Sequence, residues 1–172
     1  MKSIEAGYAG GTFPSPEYRQ MEDHTECIRV VYETKEISDV EIVEEFWRLH
    51  SGRQHGYGGT QYQSVLLYLD EEQKEAAFSV KQNLEQGGRD IETRIESAGS
   101  FHRAEEYHQK YQLKRFPHAW SAVEQYFESS PSAAASEMAM RLNALAAGEL
   151  SKAEVLAFLS APEQEIVRQI KW

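Results

Sequence analysis

Two glycine-rich joints limit how the first two thirds of this 172-residue chain can fold. Residues 7–12 read GYAGGT and run into Phe13-Pro14-Ser15-Pro16, and residues 51–60 read SGRQHGYGGT. Glycine and proline at that density cannot sustain a helix or a central strand, so each stretch is expected to be an ordered loop between regular elements. Around them two periodicities alternate. Residues 2–6 suit a short strand, and residues 26–32 (ECIRVVY) a second, rich in β-branched and aromatic side chains. Ser38 opens a Ser-x-x-Glu capping box with Glu41, and the helix behind it sets Val40, Val43, Phe46 and Trp47 on one side. Residues 64–69 (SVLLYL) suit a buried strand. Asp70 caps a helix that carries Gln73, Ala77, Val80 and Leu84 on one face and stops at Gly87-Gly88. A short strand at 93–96 and a helix at 105–113 complete the series. Strand, helix, strand, helix, strand predicts an α/β fold, a two-layer sandwich of a mixed sheet with packed helices.

From Pro117 onward the grammar is helical. Ser151-x-x-Glu154 and Ser160-x-x-Glu163 are capping boxes, and Pro162 suits a first helical turn. Met138, Leu142 and Leu145 form one apolar stripe, and Val155, Leu156 and Leu159 another. Residues 129–135 (SSPSAAA) read as the nearest thing to a linker. The expected organisation is an α/β domain over 1–116 and a helical extension over 117–172.

Charge and cysteine content remove several function classes. The formal net charge of −10 opposes binding to phosphate backbones, so no nucleic-acid partner is expected. No apolar run approaches the roughly 20 residues that a membrane span needs, and the first residues hold no hydrophobic signal core. A cytoplasmic protein is expected. Cys27 is the single cysteine, which rules out a disulfide within the chain and any zinc site built from several thiolates. His24, His55 and His108 fit no metal-ligand spacing, so no metal and no cofactor are expected.

Three clusters have chemical potential. Tyr8 stands inside the first glycine loop, either packed inward or facing a ligand. His24-Thr25-Glu26 opens the second strand; a carboxyl entering a core must be hydrogen-bonded or protonated, and a raised pKa would make Glu26 a proton donor. Gly59-Thr60-Gln61-Tyr62-Gln63-Ser64 is a polar entry to a buried strand, in which Tyr62 is either a strand-end anchor or a phenol turned to a pocket.

Taken together and in order, GYAGGTFPSPEY (7–18), HTECIRVVY (24–32), GGTQYQSVLLY (58–68), DEEQKEAA (70–77) and FHRAEEYHQKY (101–111) resemble the peptide methionine-S-sulfoxide reductases over residues 3–116. The resemblance implies an MsrA-like α/β fold and a site that holds a sulfoxide oxygen between two tyrosines and a glutamate. Tyr8, Tyr62 and Glu26 match those positions, and His108 matches the histidine of the family's His-Gln-x-Tyr stretch. A sulfoxide oxygen is a strong acceptor, and its protonation makes the sulfur electrophilic, which a neutral carboxylic acid flanked by phenols would promote.

The departures matter as much. The family's nucleophile lies in a Gly-Cys-Phe-Trp segment at a helix N-terminus, which this sequence does not contain, nor does it contain the recycling cysteines. Tyr57 stands where the family has an aspartate. Cys27 follows Glu26 directly, so strand alternation turns it to the opposite face, and among Ile28, Val30 and Val31 it is not expected to be the nucleophile. The expectation is therefore an inactive or ligand-binding pseudoenzyme for a methionine-sulfoxide-like ligand or a protein partner. Two other readings stay open: an active reductase whose nucleophile comes from another chain or from upstream residues, and a structural subunit. Without the family's first strand and helix, one sheet edge and an apolar face would need covering, by the helical extension or by a second copy in a homo-oligomer.

Overall fold

The computed structural model describes residues 1–54, 56 and 59–172. His55 and Tyr57 lie outside the described residues. The chain divides into two compact units, Met1 with Ala6–Ala104, and Lys2–Glu5 with Glu105–Trp172.

Strands β1 (Ser3–Ala9, of which Ala6–Ala9 belong to the first unit), β2 (Thr25–Val31) and β5 (His102–Arg103) form a three-stranded sheet in the order β2-β1-β5. A second sheet pairs β3 (Val65–Tyr68) with β4 (Arg94–Ser97) in parallel, with Val65 opposite Arg94 and Tyr68 opposite Ser97. Helix α1 (Asp39–Leu49) has the Ser38–Glu41 capping box, and α2 (Glu71–Gln86) starts at Asp70, whose side chain accepts from the Gln73 amide. Such caps are each worth about 1 kcal/mol. Val43 and Trp47 of α1 and Ala77 and Val80 of α2 are buried with Ile91, and Leu66, Leu84 and Ile95 pack against them. The α/β class thus holds, with helices on strands.

β1 runs further than the residues suggest. Gly7, Tyr8 and Ala9 are strand rather than loop, and β5 pairs antiparallel with the first two, Gly7 opposite Arg103 and Tyr8 opposite His102. The register demands glycine. A Cβ at Gly7 would lie 2.6 Å from the His102 carbonyl oxygen and closer still to the Phe101 ring.

The second unit is helical: α3 (Tyr111–Lys114), α4 (Pro117–Phe127), α5 (Ser130–Ala135), α6 (Glu137–Ala147), α7 (Lys152–Phe158) and α8 (Ala161–Gln169). Its core contains Leu113, Val123, Met138, Leu142, Val155 and Val167, all fully buried. Two local expectations change here. The helix expected over 105–113 is mostly turn, because Lys110 sits in the left-handed region (φ 53°) and donates from its Nζ to the Ile4 carbonyl at 2.6 Å. The linker-like 129–135 is the capped helix α5, whose Ala133 and Ala134 are small enough to be buried.

Among the described residues, no helix is long and apolar enough to cross a membrane. Gly7→Ala is expected to destabilise the first unit by about 1–3 kcal/mol, through overpacking against Phe101 and His102. Urea unfolding of the two proteins measures it, and equal midpoints would contradict the close approach.

Candidate functional site

The connection from β1 to β2 is tied to itself by two consecutive side chains. Asp23 accepts from the Thr12 amide at 2.6 Å, the Thr12 hydroxyl at 2.8 Å and the Phe13 amide at 3.1 Å. These donors stabilise the carboxylate and hold its pKa down at about 2. His24, fully buried, accepts at Nδ1 from the Gly11 amide at 3.3 Å. Its Nε2 therefore has the hydrogen and donates to the Phe13 carbonyl at 2.8 Å. A Cβ at Gly11 would come within 2.8 Å of the Asp23 carbonyl carbon, so this clasp closes only over glycine. It fixes the lead into β2, whose second residue is Glu26.

The other side of the site hangs on Ser64. Gln54 brackets the Ser64 backbone, donating to its carbonyl and accepting from its amide, both at 2.9 Å. The Ser64 and Thr93 hydroxyls are 2.8 Å apart and buried, and Trp47 Nε1 donates to Thr93 at 3.2 Å. That network anchors the chain just after a single 3-10 turn, Gly59–Tyr62, which presents Gln61 and Tyr62.

Gln61 joins the two halves. Its Nε2 donates to Glu26 Oε1 at 2.7 Å and to the Tyr62 hydroxyl oxygen at 3.0 Å. A carboxyl and a phenol from segments far apart in sequence are thus held on one amide. Glu26 is half-buried and Tyr62 is 43% exposed, so solvent reaches both. A carboxyl and a phenol side by side can offer hydrogen bonds, and a proton, to a small acceptor.

The sequence-derived candidates sort as follows. Glu26 and Tyr62 come together through Gln61. Tyr8 is packed inward on β1, the strand beside β2, in a cluster with Met21 and Ala104. His108 belongs to the second unit, where its Nε2 lies 3.8 Å from Glu105 Oε2 and its ring 4.2 Å from that of Tyr107. Cys27 is half-buried, and burial pushes its thiol up to about 11. Only about one thiol in ten thousand would then be thiolate at neutral pH. Among the described residues, no group of three or more His, Cys, Asp or Glu is placed to hold a metal ion.

Two residues escaped the sequence reading. Asp23 resembled any surface carboxylate, although an acid eleven residues after a Gly-Gly-Thr run was a usable signal. Gln61 stood inside a quoted cluster without a role, since a neutral amide gives no charge or periodicity signal.

Comparison with known proteins sets this geometry in context. The family model described as "Peptide methionine sulfoxide reductase" matches residues 1–138, beyond the 3–116 of the sequence resemblance. "Peptide methionine sulfoxide reductase MsrA" of Nautilia profundicola is 36% identical over 126 residues, covering 69% of this chain and 72% of that protein. "Peptide methionine sulfoxide reductase A5" of Arabidopsis thaliana is 34% identical over 170 residues, 95% of this chain and 66% of that one. That match extends beyond residue 116. The crystal structure of Mxr1 from Saccharomyces cerevisiae in reduced form superposes with a TM-score of 0.58 at 31% identity, covering 66% of this chain and 71% of that one.

The Asp23 carboxyl is expected to titrate by NMR with a midpoint of about 2. Its folded value lies below its ordinary 3.8, so its contribution to stability is complete above the ordinary range and is lost as pH falls through about 2. A midpoint near 3.8 would contradict the clasp. Alkylation of Cys27 by iodoacetamide is expected to be slow at pH 8 and to accelerate toward pH 11; a fast, pH-independent reaction would contradict its burial.

Proposed function

This chain belongs to the peptide methionine sulfoxide reductase family, and from that premise we propose that residues 1–172 bind a methionine-S-sulfoxide side chain but do not reduce it unaided. The observation that supports this most is the Gln61 amide, which holds the Glu26 carboxyl and the Tyr62 phenol together. In this reading Tyr62 and Glu26 donate to the sulfoxide oxygen, with Tyr8 as the second phenol of the set. His108 is assigned to ligand binding by its place in the His-Gln-x-Tyr stretch alone. Residues 1–116 act as the binding domain and 117–172 as a helical extension.

Reduction needs more than an activated oxygen. Drawing a proton onto the oxygen makes the sulfur electrophilic, and a thiolate must then attack it. The only cysteine of the chain is Cys27. Alternation along β2 sets it on the face opposite Glu26, and its raised pKa keeps it protonated. A sulfur on another polypeptide segment would have to supply the attack.

The test is calorimetric titration of the 172-residue chain with a short methionine-S-sulfoxide peptide, beside an assay of its reduction with dithiothreitol. Binding without formation of methionine is expected, weaker by about tenfold in Glu26→Gln. Turnover that disappears in Cys27→Ser would overturn the assignment of Cys27. Absence of binding would overturn the ligand reading and leave a structural role.

A further inference from the structure

A side-chain amide that donates twice does more than hold two neighbours together; it decides where their own hydrogens go. Gln61 spends one N–H on Glu26 Oε1 and the other on the Tyr62 oxygen. A carboxyl oxygen already accepting from an N–H is the poorer place for an acid proton, so any proton that Glu26 brings to a ligand sits on Oε2. The Tyr62 oxygen accepts from Gln61, so the phenolic hydrogen points away from Gln61. Turned over, the same amide would present its oxygen to both groups. It would then draw the acid proton and the phenolic hydrogen onto itself, leaving neither for a ligand.

We infer that Gln61 is a positioning residue, whose amide aligns Glu26 Oε2–H and Tyr62 O–H as joint donors to one bound oxygen acceptor. The inference rests on the sulfoxide-binding reading given above and deepens it. The fold supports this role. Gln61 stands on the one-turn segment Gly59–Tyr62, directly before Tyr62, and is itself only partly exposed. The buried Ser64–Thr93–Trp47 network fixes the chain just beyond. The clasp of Asp23 and His24 fixes the strand that presents Glu26. The amide therefore spans two anchored segments.

The test combines infrared spectroscopy with binding, on the 172-residue chain. Spectra are recorded at a pH acid enough to protonate Glu26, and its carbonyl band is identified by its loss in Glu26→Gln. In Gln61→Met, which keeps the length of the side chain and removes both donors, that band is expected to move to higher frequency, because Oε1 no longer accepts a hydrogen bond. Affinity for the methionine-S-sulfoxide peptide is expected to fall about tenfold. Gln61→Glu, nearly isosteric, sets a second carboxyl against Glu26, and the two would share a proton. The pH dependence of peptide binding is then expected to shift upward, an effect that loss of packing alone would not produce. The Gln61→Glu profile decides the matter if Gln61→Met fails to fold. An unchanged Glu26 band in folded Gln61→Met, or an unshifted profile in Gln61→Glu, would overturn the inference. A band that moves in a protein that binds no peptide would overturn the sulfoxide reading and keep the Gln61 alignment.

Discussion

Glu26 belongs to a strand and Gln61 to a turn 35 residues further along, and one amide hydrogen bond of 2.7 Å joins them. The site depends on that link. A carboxyl alone at the start of a half-exposed strand would be an ordinary surface acid. A tyrosine alone on a short turn would be an anchor at a strand end. Joined through Gln61, they act in the proposed reading as a pair of donors to one acceptor. The value of such a pair lies in preorganisation: donors already in place need no rearrangement when an acceptor arrives.

Preorganisation requires rigid supports, and the polar residues around the site supply them. The Asp23–His24 clasp turns the glycine loop into a fixed lead into β2. The Gln54 bracket and the Ser64–Thr93 pair do the same for the segment carrying Tyr62. Buried polar groups are costly unless satisfied, and here they satisfy one another, so the cost becomes specificity of backbone position. Cys27 is placed for the opposite purpose. Its burial favours the neutral thiol, which suits packing and opposes nucleophilic attack.

Much of this was legible in the residues, and the rest was hidden for definable reasons. Helix starts at Ser38, Asp70, Ser151 and Ser160 were visible because capping chemistry is local. Strand cores at 26–32 and 64–69 were visible from composition. The strand character of Gly7–Ala9 was hidden because it depends on β5, whose two residues carry no strand signal. The break at Lys110 was hidden because a lysine in the left-handed region looks like any other lysine. Glu26 and Tyr62 stood out from their residue clusters, the family resemblance joined them in one site, and the residue that unites them, Gln61, emerges only from three-dimensional proximity.

The most direct measurement is the NMR signal of the Gln61 side-chain amide during titration with peptides carrying methionine-S-sulfoxide, methionine-R-sulfoxide or methionine. The signal is assigned by its disappearance in Gln61→Met. A saturable shift with the S-sulfoxide, much larger than with the other two, is the expected result, since an acceptor bound by Tyr62 and Glu26 must alter both partners of that amide. A Gln61 signal indifferent to all three peptides would contradict the account.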